Sequence, residues 1–199
     1  MTINNLTSGS LSGLRILDLT RVWAGPLATR IYGDYGADVI KISDPRVPLV
    51  TENGLNSKLN RNKRNIGLRL DKSEGRQIFL ELTSISDLVI ENFRPRVMRN
   101  LDLTYETLLK VNPHIIMCSM PGFGLEGPYA EYPAFGTTAE ALAGIPGLMG
   151  YDDSLPISSG IAYGDPVSGL NAVGILLTAL RQRNITGSGQ FIDIALAGS

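Results

Sequence analysis

Short apolar runs of strand length recur along this chain, and stretches with helical spacing separate them. The runs fall at 14–19, 38–42, 64–70, 87–91, 114–119 and 191–195. The helical stretches fall at 25–35, 73–85, 104–111, 137–142 and 167–183. A strand followed by a helix and a second strand in the same sheet forces a parallel pair joined by a right-handed crossover. Repeated along the chain, that unit predicts an α/β fold, a doubly wound parallel-rich sheet with helices on both faces. In such sheets ligands bind beyond the carboxyl ends of the strands.

Local signals punctuate the pattern. Pro26 sits near the first turn of the first helix, where its missing N–H costs nothing, and Gly36 stops that helix. Ser73-Glu74-Gly75-Arg76 is only half a capping box, because Arg stands where Glu or Gln would reach back. Thr104 is an expected N-cap. Residues 43–62 are rich in Pro, Asn, Gly and charge and read as one long loop. Residues 92–100 read as a short basic connector.

Composition narrows the function classes. The formal net charge of −1 advertises no nucleic-acid surface. No apolar run approaches the roughly 20 residues of a membrane span, and residues 1–10 lack the basic start and apolar centre of a secretory signal. The single cysteine, Cys118, excludes an intrachain disulfide and a cysteine metal cluster, so no metal is expected. The single histidine, His114, is all that a Ser-His-Asp triad would have. A cytoplasmic enzyme or binding protein fits these features. The chain stops directly after its last strand with no polar tail, which suggests one part of a longer protein.

Two motifs carry opposite lessons. Gly122-Phe123-Gly124-Leu125-Glu126-Gly127 spells a dinucleotide fingerprint, but that reading needs a helix to begin inside it. Pro128 and Pro133 oppose such a helix, so the motif reads as a flexible glycine loop. Gly164-Asp165-Pro166 opens the longest helix and has the form of an N-cap followed by proline at the first helical position. On the residues alone Asp165 is a helix cap before it is anything chemical. The basic clusters Arg61-Lys63-Arg64 and Arg94-Arg96-Arg99 suit phosphate groups, and they equally suit a solvated surface.

Four segments in order resemble one family. They are Leu14-Arg15-Ile16-Leu17-Asp18-Leu19-Thr20-Arg21-Val22-Trp23-Ala24-Gly25-Pro26 with Gly33-Asp34-Tyr35-Gly36-Ala37-Asp38-Val39, then Asn62-Lys63-Arg64-Asn65-Ile66-Gly67-Leu68, then Asp87-Leu88-Val89-Ile90-Glu91-Asn92-Phe93-Arg94-Pro95, and finally Tyr163-Gly164-Asp165-Pro166-Val167-Ser168-Gly169 with Thr186-Gly187-Ser188-Gly189-Gln190. At this spacing the chain resembles a class III CoA-transferase of the CaiB/BaiF type from Leu11 to its end.

The resemblance implies a Rossmann-like large domain, with residues 1–199 as its N-terminal part and the small domain and C-terminal return absent. It also implies a homodimer of interlocked full-length subunits. The activity implied is transfer of CoA from an acyl-CoA to a small carboxylic acid. Asp165 would be the nucleophile, passing through an aspartyl anhydride and an aspartyl-CoA thioester. Coenzyme A contacts are implied for Trp23, Ala24, Leu68, Asn92, Phe93 and Arg94. Trp23 departs from the family, which often has Gln there, and packing is its plain alternative role. Asn100 and Ser43-Asp44 also depart.

The same family includes an acyl-CoA racemase, which needs a second acid/base group near Phe135-Gly136; neither residue can move a proton. Glu140 reads as part of a helix face. A third reading is a CoA-binding fragment or subunit without catalysis.

Overall fold

The computed structural model describes residues 9–47 and 54–199. Among them, six strands form one parallel sheet: β1 (Arg15–Asp18), β2 (Asp38–Ser43), β3 (Lys63–Gly67), β4 (Leu88–Glu91), β5 (Ile116–Ser119) and β6 (Phe191–Asp193). Their order across the sheet is β3-β2-β1-β4-β5-β6, the doubly wound order. The direction of winding reverses between β1 and β4, so a crevice opens there beyond the carboxyl ends of both strands.

Among the described residues, seven α-helices accompany the strands: α1 (Ala24–Asp34), α2 (Gly54–Asn60), α3 (Ser73–Ser84), α4 (Arg96–Asn100), α5 (Tyr105–Val111), α6 (Gly136–Leu142) and α7 (Gly164–Thr186). Alternate side chains of each strand enter opposite cores, as the two-residue period of a strand requires. Ile16, Val39, Leu88, Ile90, Ile116 and Cys118 pack with Ala28, Tyr32, Ala172, Leu176 and Leu180 of α1 and α7. Leu17, Ile40, Val89 and Met117 pack with Phe79 of α3, Met98 of α4 and Leu108 of α5. A sheet covered on both faces explains why its strands read as continuous apolar runs.

Helices α1 and α7 lie side by side at their N-terminal ends. A side chain on Gly169 would meet the Ala24 carbonyl oxygen at 2.6 Å. Tyr32 donates its hydroxyl to the Val173 carbonyl at 2.9 Å. Small residues thus let the start of α1 approach the first turns of α7, and that approach builds the site.

Three local expectations need correction. The long loop expected over 43–62 contains α2, and its residues 48–53 lie outside the described residues. Only Leu59 of α2 is buried, so the helix left no apolar periodicity in the sequence. The basic connector at 92–100 contains α4. Helix α7 begins at Gly164 with Tyr163 as its N-cap, so Asp165 stands inside the first turn instead of capping it. Thr104 does precede α5 as N-cap, in extended conformation. Residues 121–135 contain no helix, as expected for a glycine loop without dinucleotide geometry.

Candidate active site

Asp165 is buried, and its carboxylate points away from its own helix into the N-termini of two others. The Ala24 N–H, the first of α1, donates to Oδ1 at 3.4 Å. The Gly136 N–H, the first of α6, donates to Oδ2 at 3.0 Å. Neither Trp23 nor Phe135, the N-cap residues of those helices, supplies a side-chain cap. Asp165 supplies it from 29 and 141 residues away, satisfying amides that a helix start leaves unpaired. The partial positive ends of α1, α6 and α7 meet at this carboxylate. A side chain at position 136 would collide with Asp165 Oδ2, so glycine is what lets α6 come this close.

Burial pushes the Asp165 carboxyl above its ordinary value, and the amides of Ala24 and Gly136 oppose that rise. The group has no cation beside it among the described ion pairs. It therefore combines the basicity of a desolvated carboxylate with two amides aimed at its oxygens.

A second buried aspartate sets the loop that delivers Ala24. Asp18, at the end of β1, accepts from the Thr20 amide at 2.8 Å, the Thr20 hydroxyl at 2.5 Å and the Thr29 hydroxyl at 2.8 Å. Lys63 Nζ reaches Asp18 Oδ2 at 2.9 Å and the Pro26 carbonyl at 3.0 Å, and it too is buried. Lys41 Nζ lies 3.5 Å from Asp18 Oδ1 and also donates to the Thr20 carbonyl. Burial alone would raise Asp18, but Lys41 and Lys63 hold it well below the usual carboxylate range. Burial lowers Lys63, against the pull of Asp18. A charge within the apolar run Leu17-Asp18-Leu19 was the sequence signal for this cluster, because a buried carboxylate needs partners.

Between Thr20 and Ala24 the chain turns through Val22 at φ 67°, a region that a β-branched residue rarely occupies. Asn92, just beyond β4, holds this turn from across the crevice. Its Oδ1 accepts from the Arg21 amide and its Nδ2 donates to the Arg21 carbonyl, both at 2.7 Å. The guanidinium of Arg21 lies 5.6 Å from the centre of the Phe93 ring. Asn92 therefore spends its side chain on backbone, and the surfaces it leaves for a ligand are main chain and the Phe93 ring.

The residues expected from sequence gather on one edge. Trp23 and Ala24 follow β1, Leu68 follows β3, and Asn92, Phe93 and Arg94 follow β4. Leu68 is buried in the core with Phe79, and its amide donates to the Ser43 carbonyl at 2.9 Å. Trp23 is half-buried at the head of α1. A cavity of about 470 Å³ opens beside them at the carboxyl ends of β1 and β2, with Arg21, Lys41, Ser43, Arg61 and Arg64 among its walls.

Most residues of the basic clusters are exposed but ion-paired, and the Lys63 side chain is buried. Arg61 pairs with Asp34 at 2.7 Å, Arg64 with Asp38 at 2.6 Å, and Lys63 with Asp18. Arg96 and Arg99 reach Glu131 in the glycine loop at 3.7 and 2.9 Å. Arg94 forms no ion pair with a described residue. Ser43 donates to Asn65 Oδ1 at 3.0 Å and Asp44 is held by Arg46.

Groups of His, Cys, Asp or Glu arranged to hold a metal are absent among the described residues. His114 precedes β5 at the amino edge of the sheet and contacts the Gly187 carbonyl, away from Asp165. No helix among the described residues is long and apolar enough to cross a membrane.

A profile of CoA-transferase family III matches residues 11–199. The chain belongs to that family. It is similar to the succinyl-CoA:glutarate CoA-transferase of Mus musculus, at 40% identity over 95% of this chain and 46% of the relative. It is similar to the formyl-CoA:oxalate CoA-transferase of Streptomyces coelicolor, at 35% identity over 96% of this chain and 48% of the relative. A solved CaiB/BaiF family protein from Brucella suis superimposes with a TM-score of 0.88 at 36% identity, over 95% of this chain and 53% of that one. The chain thus spans about half the length of the curated relatives it matches.

Proposed function

We propose that these residues are the N-terminal part of the large, CoA-binding domain of a CoA-transferase, and that Asp165 is its nucleophile. The observation that carries this reading is the buried Asp165 carboxylate between the Ala24 and Gly136 amides, with no cation paired to it among the described residues. One Asp165 oxygen attacks the thioester carbonyl of the donor, the C–S bond breaks, and CoA thiolate leaves a mixed anhydride. The thiolate then attacks the aspartyl carbonyl carbon. The donor acid departs as a carboxylate, and an aspartyl-CoA thioester remains. The acceptor carboxylate attacks that thioester and releases the thiolate, which takes the acceptor's acyl group and restores Asp165.

In the two steps at the aspartyl carbon, negative charge collects on the Asp165 oxygen that stays behind. The amides of Ala24 and Gly136 already point at those oxygens, so they stabilise it without rearranging. Exclusion of water keeps the anhydride and the thioester from hydrolysis. The proposed CoA contacts are the backbone and ring surfaces of Trp23, Ala24, Leu68, Asn92, Phe93 and Arg94, with the phosphates drawn to the arginine-walled cavity. The names of the relatives support an acyl-CoA and a small carboxylic acid as the two substrates. A homodimer of the full-length protein is part of the same proposal.

A racemase has less support. Phe135 and Gly136 hold no transferable proton, and the Glu140 carboxylate is occupied by Ser159 and Tyr163. The test is to incubate the full-length protein with acyl-CoA donors and carboxylic acids, quench, and map the covalent adduct by mass spectrometry. An adduct at Asp165 is expected, and Asp165→Ala should abolish transfer. An adduct elsewhere, or alpha-proton exchange without transfer, overturns the reading. Binding of CoA without any adduct or transfer points to a non-catalytic subunit.

A further inference from the structure

We infer that Glu140 is a positioning residue: it braces the segment 159–163 so that Asp165 meets the Ala24 and Gly136 amides. This rests on the reading of Asp165 as nucleophile.

Glu140 is 1% exposed, where the sequence suggested only part of a helix face. No cation pairs with it among the described ion pairs. It accepts instead from the Ser159 amide at 2.8 Å, the Ser159 hydroxyl at 2.7 Å and the Tyr163 amide at 3.1 Å. Every partner is a donor, so the arrangement selects the ionised carboxylate. Those hydrogen bonds, from the Ser159 amide first, hold Glu140 below its ordinary value. The group therefore carries no proton for the reaction, and its role is geometric.

The segment it grips does not hold its shape by local preference. Gly160 has φ 74° and Ala162 has φ 50°, so two of the three residues between Ser159 and Tyr163 are left-handed. A left-handed alanine persists only where its surroundings dictate it. The Ala162 carbonyl accepts the Asp165 amide at 2.9 Å, so the turn at 162 sets the first turn of α7.

Gly136 and Glu140 lie four residues apart on α6, which puts them on one face of that helix. One turn of α6 thus offers an amide to the Asp165 carboxylate and a carboxylate to the strap that carries Asp165. The distance between the two contacts is fixed by a helical turn. Without Glu140, the strap is free to relax away from left-handed Ala162, taking Asp165 off its amides and opening it to water.

The test uses the full-length protein as Glu140→Ala, Glu140→Gln and Ser159→Ala. Three quantities are read: the rate of acyl-CoA-dependent adduct formation at Asp165, the affinity for free CoA by calorimetry, and hydrogen exchange of the Ser159 and Tyr163 amides. Glu140→Ala should slow adduct formation about 10- to 100-fold, as small misplacements of reacting groups do, with CoA affinity within about twofold. Its acid limb should move to lower pH, because a wetter Asp165 loses the rise that burial causes. Glu140→Gln keeps one acceptor oxygen but turns an NH2 toward a backbone donor, so it should recover only part of the rate. Ser159→Ala removes one of the three bonds without stranding a buried charge, so it gives a smaller slowing of the same kind even if Glu140→Ala fails to fold.

Wild-type rates in Ser159→Ala and Glu140→Gln together with an unshifted acid limb in Glu140→Ala overturn the brace, as does a parallel loss of rate and CoA affinity. The nucleophile reading fails separately, if the wild-type protein forms no adduct at Asp165. The brace is then judged on exchange alone: lost protection at Ser159 and Tyr163 in Glu140→Ala upholds it, and retained protection ends it.

Discussion

Asp18 and Asp165 are both buried aspartates at the same edge of the sheet, and their surroundings push them in opposite directions. Asp18 has two lysines and two threonine hydroxyls, and its carboxyl is held low. Asp165 has two backbone amides, and its carboxyl is raised. Full pairing makes Asp18 inert and structural, the anchor of the loop from Thr20 to Ala24. Partial satisfaction leaves Asp165 basic, at a cost in stability. The signs follow from linkage. The contribution of Asp18 is complete above its unfolded value and is lost as pH falls through its depressed folded value. For Asp165 the folded state is favoured most below the unfolded value, and that advantage declines as pH rises through the raised folded value.

The comparison is broken most forcefully at Asp165 itself. Asp165→Ala should cut transfer about 10³-fold or more, since covalent nucleophiles act as an all-or-none part of their machinery, while stability falls only by the loss of two helix caps, about 1 kcal/mol each. Rate and unfolding measured on the same sample decide this. Lys63→Met attacks the other aspartate. It removes the closer of the two lysines on Asp18, leaving Lys41 at 3.5 Å, and should destabilise the protein by up to about 3–5 kcal/mol, read by denaturant unfolding, because a buried charge loses its main mate. A loss of activity with full stability in that variant would erase the division of labour between the two sites.

Asn92→Ala tests the link between them. Two hydrogen bonds to Arg21 disappear, so the loop should loosen by about 1–3 kcal/mol in total. The expected readout is weaker CoA binding together with slower adduct formation, since the Val22 turn delivers both Trp23 and the Ala24 amide.

A third buried carboxylate, Glu91, lies outside both sites and tests stability alone. Burial raises its carboxyl from 4.5 to about 8, against the pull of the Phe93 amide. The Ser119 hydroxyl contacts Oε1, and the Phe93 amide donates to Oε2 at 2.6 Å. A carboxyl raised on folding gives stability that is full below about 4.5 and lost as pH rises to about 8. Glu91→Gln should flatten stability across that window in thermal melts at stepped pH.

The layers of the fold were legible because parallel strands covered on both faces have to be apolar throughout. Leu17, Val89 and Met117 declare themselves in any reading of the chain. Helix α2 did not, since a helix with one buried side chain has no period to detect. The Gly164-Asp165-Pro166 signature pointed correctly to a helix start and to a capping carboxylate, but it pointed to the wrong helix. Asp165 caps α1 and α6, and no local rule names a partner 141 residues away. Lys63 and Glu140 were misjudged for the same reason. Lys63 read as surface charge and Glu140 as part of a helix face until strands and helices distant in sequence closed around them. The family resemblance was legible in ordered motifs, and the pairing that gives those motifs their chemistry was not.

The long separation between Asp165 and its amides has a consequence during synthesis. Ala24 emerges from the ribosome well before Asp165, and Gly136 emerges between them. Until α7 docks against α1, Asp165 is an ordinary hydrated carboxylate with no oriented donors and no dry surroundings. Contacts this remote in sequence are among the last a chain closes, because the intervening loop must be ordered first. The oriented donors and dry surroundings that the chemistry proposed for Asp165 requires are therefore absent from the nascent chain and arise only when the fold is complete.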